Sequence, residues 1–95
     1  MHTIEFSQYE WDPAKARTNL RKHAVSFADA ALALRDERAL VRHDPDSNGE
    51  VRFVSMGMDP MFRVLVTVFT HRGTRIRVIS SRKATRAERR TYQQC

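Results

Sequence analysis

The chain has few of the residues that mark familiar chemistries. Three glycines in 95 residues, and no glycine-rich loop, exclude the folds that cradle nucleotide phosphates. The single cysteine, Cys95, has no internal partner, so a disulfide scaffold is excluded and a reducing, cytoplasmic setting is expected. No apolar run approaches the ~18 residues of a transmembrane helix. The opening MHTIEFSQYEWD, with Glu5, Glu10 and Asp12, is not a signal peptide. His2, His23, His43 and His71 show neither His-x₃-His nor Cys–His spacing, so no metal site is expected. No serine stands in a nucleophile-elbow pattern. Asp44-Pro45-Asp46-Ser47-Asn48-Gly49 imitates the first half of an EF-hand loop, but the position that needs glutamate is Ser55. That segment reads as a hairpin turn. No cofactor is implied.

Positive charge is plentiful, and it is unevenly placed. The net charge is +6, yet residues 1–62 carry eight Lys/Arg against ten Asp/Glu, while residues 63–95 carry nine against Glu88 alone. Eight of those nine are arginine, the better fork for phosphate. Such a field suits a polyanion, a membrane surface or an acidic protein, with nucleic acid the leading candidate. A hydrophobic share of 41% is enough for one small core, so residues 1–95 are expected to form a single domain.

Phe6–Trp11 reads as an edge strand or extended arm. Asp12-Pro13 is a helix start, an N-cap carboxylate followed by proline at the first helical position. That helix should run to about His23 with Ala16, Leu20 and Ala24 on its buried side. Ser26, with Asp29 three residues on, opens a second helix whose apolar stripe is Phe27, Ala30, Ala31 and Leu34. Strands follow at Ala39–His43, Glu50–Gly57, Arg63–Thr70 and Arg75–Arg82. The β-branched run of Arg63–Thr70 is expected at the sheet centre, covered on both faces. Thr85 and Glu88 form a capping box for a last helix through about Gln93. The sum is an α+β domain: two N-terminal helices, an antiparallel sheet of about four strands, and a C-terminal helix.

Period-two alternation puts Arg75 and Arg77 on one strand face about 6.5–7 Å apart, close to the spacing of adjacent phosphates. Two guanidinium groups so placed can grip a nucleic-acid backbone, unless the face is merely solvated. On the last helix Arg86, Arg89, Arg90 and Gln93 share one side. Glu88 has a sufficient role as the capping acid, and is also a candidate to orient an arginine or accept a proton. Tyr92 is either core packing or a stacking platform for a base. His43 and His71, at strand ends, are weak candidates for proton donors.

Taken together, Phe6 through Trp11-Asp12-Pro13-Ala14-Lys15-Ala16, then Asn19, Lys22-His23-Ala24-Val25-Ser26-Phe27, and Arg75-Ile76-Arg77-Val78-Ile79-Ser80-Ser81-Arg82-Lys83-Ala84-Thr85 with Glu88 and Tyr92, resemble the BrnT toxin family in order and spacing. Two departures stand out. Ala24 replaces a glycine, so the first helix is expected to lack its left-handed cap, and Ser81 replaces an alanine, which should matter little. The resemblance implies a RelE-like fold and a bacterial type II toxin: a metal-independent ribonuclease that arrests translation. It also implies a BrnA-like antitoxin partner with a ribbon–helix–helix part, operator DNA being bound only through that complex. In such an enzyme Arg75 and Arg77 would clamp the anion, and Arg82 would stabilise the phosphorane. Glu88 would act as base or position the arginines, with His71 a reserve acid. Arg63, Arg72, Lys83, Arg86, Arg89 and Tyr92 would hold RNA. The alternatives on sequence alone are a non-catalytic nucleic-acid-binding module and an antitoxin-docking module.

Overall fold

A computed structural model of the protein describes residues 8–46 and 49–94. Of the segments singled out above, His2, Phe6, Ser7, Ser47, Asn48 and Cys95 lie outside the described residues. The elements in chain order are β1 (Tyr9–Glu10), α1 (Pro13–His23), α2 (Phe27–Leu34), β2 (Leu40–His43), β3 (Phe53–Met58), β4 (Val64–Arg72), β5 (Arg75–Lys83) and α3 (Arg86–Gln93). They form a five-stranded sheet in the order β1-β5-β4-β3-β2. The expected antiparallel sheet of about four strands is therefore mixed: β1 runs parallel to β5, pairing Tyr9 with Ile76 and Glu10 with Arg77. Hence α1 and α2 sit between the first and second strands. A two-residue strand paired to a segment 67 positions away leaves no periodic mark in the sequence.

The helix starts follow the capping chemistry. Asp12 accepts from Ala14 N–H, Ser26 from Asp29 N–H, and Thr85 and Glu88 cap each other's backbone. As expected β4 is central; its helix side is covered by α2, with α1 on the neighbouring β5, and its other side in part by α3. Phe27 and Ala30 of α2 meet Val78 of β5, and Val25 and Ala33 meet Leu65 of β4. α2 lies so close to β3 that a Cβ at Gly57 would stand 2.5 Å from the Ala33 carbonyl oxygen, so only glycine fits there.

Three expectations fail in informative ways. Leu20 is 52% exposed, and its neighbour Asn19 is buried instead. The Asn19 amide donates to the Ser81 and Val25 carbonyls (2.8 and 3.0 Å) and accepts from Ser81 N–H (3.0 Å). It thus satisfies the edge of β5 where β1 has ended, a need that apolar spacing does not reveal. Ser81 is not neutral, because its buried hydroxyl shares a 3.0 Å hydrogen bond with Thr67. Ala24 does not abolish the left-handed cap but adopts it, with φ 56° and ψ 33°, its N–H bonded to the Leu20 carbonyl. Left-handed backbone costs an alanine ~1–2 kcal/mol. Ala24→Gly is therefore expected to raise unfolding stability by about 0.5–1 kcal/mol, read from denaturant midpoints.

Candidate nucleic-acid interface

The side of the sheet away from α1 and α2 collects the arginines. Val78 packs on α2, so Arg75 and Arg77, one residue out of phase with it, face the other way. Strict alternation would then return Arg82 to the helix side. A β-bulge prevents this: Phe69 pairs with Val78 and Val68 with Ser80, leaving Ile79 as an extra residue. Beyond the bulge Ser80 and Arg82 join Arg75 and Arg77 on the open face, opposite Val68 and Val66. Arg42, opposite Val54, and Arg72, opposite Arg75, share that face. Arg52, one residue before β3, continues the register opposite Thr70 and joins them.

These six arginines divide into three that are neutralised and three that are not. Arg72 pairs with Glu50 (3.0 Å), Arg77 with Glu10 (2.9 Å) and Arg82 with Glu88 (2.8 Å). Among the described residues Arg42, Arg52 and Arg75 have no carboxylate partner, and the Arg52 Nε is buried without a hydrogen bond. Arg42 and Arg52 carry no local signal in the sequence. Each stands in a short alternating stretch, but which face that stretch turns outward depends on strand pairing.

The open face has two ends. Arg75, Arg77, Arg72 and Arg52 crowd the hairpin end, around Thr70. At the other end Val54, Met56, Val66 and Val68 floor a groove of about 600 Å³, bordered by Arg42, Ser80, Arg82 and His23 and roofed by Ala87, Glu88 and Thr91 of α3. The β4 partners of Arg77 and Arg82 are Thr70 and Val66, four residues or about 13 Å apart. The proposed catalytic arginines thus share a face but are spread along it, at roughly two phosphate spacings, rather than gathered over one linkage.

Glu88 is fully committed. Both its oxygens accept from the Arg82 guanidinium (2.8 and 3.0 Å), and one also accepts from Thr85 N–H (2.8 Å). The hydrogen bonds from Arg82, outweighing burial and helped by Thr85, hold its carboxyl down at about 2, while the same contact raises Arg82. Glu88 therefore positions Arg82 and is a weak proton acceptor. A depressed carboxyl stabilises the fold above its ordinary pKa of 4.5 and loses that contribution as the pH falls through about 2. The pair is partly open to water, which limits the effect to about 1 kcal/mol. Acid unfolding followed by circular dichroism should show that loss between pH 4.5 and 2, and Glu88→Gln should remove it.

Other expected site residues are placed elsewhere. Arg63 does not reach the open face: its guanidinium bonds Asp59, Asp29 and the Ala24 carbonyl, holding the β3–β4 turn to the start of α2. Tyr92 donates to Asp36, which also accepts from the N–H groups of Met58 and Arg38. Burial and this bond raise the Tyr92 phenol. Burial pushes the Asp36 carboxyl up, but its hydrogen bonds bring it below the ordinary value. Through its hydroxyl Tyr92 anchors α3 to the α2–β2 connection. Lys83, opposite Leu65, falls on the helix side at the end of β5. His71 also faces that side, its ring 5.4 Å from Phe53 and 5.9 Å from Phe69, with His43 against Phe53. It is not brought to the arginines. Arg86 and Arg89 are exposed on α3. No group of three or more His, Cys, Asp or Glu side chains that could hold a metal is found among the described residues, and no described helix is long and apolar enough to cross a membrane.

Residues 11–88 match the family described as "Ribonuclease toxin, BrnT, of type II toxin-antitoxin system". In structure the chain is similar to the Brucella abortus ribonuclease toxin BrnT, known from a 1.1 Å crystal structure. The two share a TM-score of 0.59 and 26% identity, over 80% of this chain and 94% of that one. No curated protein sequence matches the chain.

Proposed function

Because the chain belongs to the BrnT family of ribonuclease toxins of type II toxin–antitoxin systems, we propose that its open sheet face binds RNA and cleaves it without a metal ion. The 2′-hydroxyl attacks the adjacent phosphorus, and the products carry a 2′,3′-cyclic phosphate and a 5′-hydroxyl. Loss of intact RNA in the cytoplasm arrests translation. A BrnA-like antitoxin neutralises the toxin, and the pair reaches operator DNA only through the antitoxin.

The observation that carries this reading is the bulge at Ile79, which turns Arg82 onto the face that already holds Arg75 and Arg77. Arg82, oriented by Glu88, stabilises the charge that builds on the phosphorane. Arginine is always protonated, so its contribution is electrostatic rather than that of a proton donor. Arg75 and Arg77, with Arg52 and Arg42 beside them, hold the neighbouring backbone phosphates and fix the register of the strand. Arg72 supports the same surface.

The test is purified protein with end-labelled RNA in excess chelator. Cyclic-phosphate ends are expected; RNA that is retarded but intact would favour a non-catalytic binding module. The Arg75→Ala/Arg77→Ala double variant should fold normally, bind RNA at least tenfold more weakly, with a shallower salt dependence, and no longer arrest growth. Growth arrest that survives both changes would place the active surface elsewhere.

A further inference from the structure

We propose that His23 is the group that takes the 2′-hydroxyl proton in this cleavage, an assignment that rests on the ribonuclease reading above. The step requires a proton acceptor with a free lone pair near Arg82, and the face offers few. Glu88, the only carboxylate touching Arg82 among the described residues, has both oxygens engaged by that guanidinium. His71 packs edge-on against Phe53 and Phe69, and His43 lies tilted against Phe53, both on the opposite side of the sheet. Among the described histidines only His23 borders the groove, together with Ser80, Arg82 and Glu88.

Its position is fixed by structure already described. His23 ends α1, one turn beyond Asn19, whose amide is locked to both backbone groups of Ser81. Ser81 immediately precedes Arg82, so these bonds set the height of His23 against the arginine. The left-handed cap at Ala24 then turns the chain away and leaves the ring at the groove mouth. The charged groups bordering the groove with it are Arg82 from β5, Glu88 from α3, and Arg42 and Asp44 from the β2 side. Arg21 and Lys22 precede it on α1.

In the step, the neutral imidazole accepts the proton of the 2′-hydroxyl as the O2′–P bond forms. The P–O5′ bond then breaks, the leaving oxygen takes a proton from water, and the imidazolium returns its own to solvent. Atoms and charge balance with water as the only co-reactant. A general base acts only in its unprotonated form, so base catalysis of this kind leaves an acid limb in the pH–rate profile.

The experiment compares wild type with His23→Gln and His23→Ala on one RNA substrate across pH, with affinity measured on a 2′-O-methylated oligonucleotide that cannot react. His23→Gln should lower kcat at least 100-fold, abolish the acid limb of the pH profile, and leave that affinity within about twofold. Added imidazole should restore part of the activity of His23→Ala, which it cannot do for a folding defect. If wild type cleaves while His23→Gln keeps its rate and its acid limb, His23 is not the acceptor. If wild type leaves RNA intact, the ribonuclease reading fails first and the assignment falls with it.

Discussion

Arg82→Ala is expected to slow RNA cleavage by about 10²–10³-fold, the usual loss on removing one preorganised donor from a developing oxyanion. Because the effect belongs to the transition state, it should appear in kcat, with affinity for uncleavable RNA reduced only a few-fold. The contrast with Arg75→Ala/Arg77→Ala is the informative part. Those side chains stand about 13 Å or more along β5 from Arg82, so their loss should weaken binding more than chemistry. Glu88→Gln provides the intermediate case. It keeps an oxygen to accept from Thr85 N–H and so preserves most of the cap, but it no longer holds Arg82 by two charged hydrogen bonds. A kcat loss of about tenfold is expected, smaller than that for Arg82→Ala. Equal and complete losses in both would instead make Glu88 a direct participant.

Arg63→Ala should produce the largest loss of stability of any single arginine change, about 3 kcal/mol. The reason is the group left behind. The Asp59 side chain is 0% exposed and accepts from Met61 N–H, Arg63 N–H and the Arg63 guanidinium, while the same guanidinium reaches Asp29 at 2.9 Å. Truncation removes the cation and strands a buried carboxylate, the situation in which broken pairs are most costly. A domain of this length has only about 5–14 kcal/mol in total, so a drop of 10 °C or more in Tm is expected. Arg75→Ala, on an exposed and unpaired arginine, should change stability by less than about 0.5 kcal/mol. Thermal unfolding of the two variants side by side checks both values. An Arg63→Ala protein as stable as wild type would return Arg63 to the candidate RNA contacts.

Local structure is legible in the sequence, and long-range pairing is not. Asp12-Pro13, Ser26 with Asp29, and Thr85 with Glu88 each mark a helix start because capping is chemistry between residues two or three apart. The apolar run of β4 declares its central place. Asn19 at a buried position, β1 beside β5, and Arg63 between two aspartates depend on partners 62, 67 and 34 residues away. No periodicity encodes those. The site shows the same division. Arg75 and Arg77 were legible as a pair two residues apart, whereas the bulge that aligns Arg82 with them is a property of pairing between β4 and β5. The spacing of His23 in the sequence carries no signal of its own; the fold is what sets it at one groove with Arg82.

The most direct test of the shared arginine face is to titrate isotope-labelled protein with a 2′-O-methylated oligoribonucleotide and follow the arginine Nε–H resonances. Arg42, Arg52, Arg75, Arg77 and Arg82 should shift together and saturably, while Arg63, held by Asp59 and Asp29 on the other side of the sheet, stays in place. Shifts confined to arginines on the helix side, or none on β5, would contradict the account.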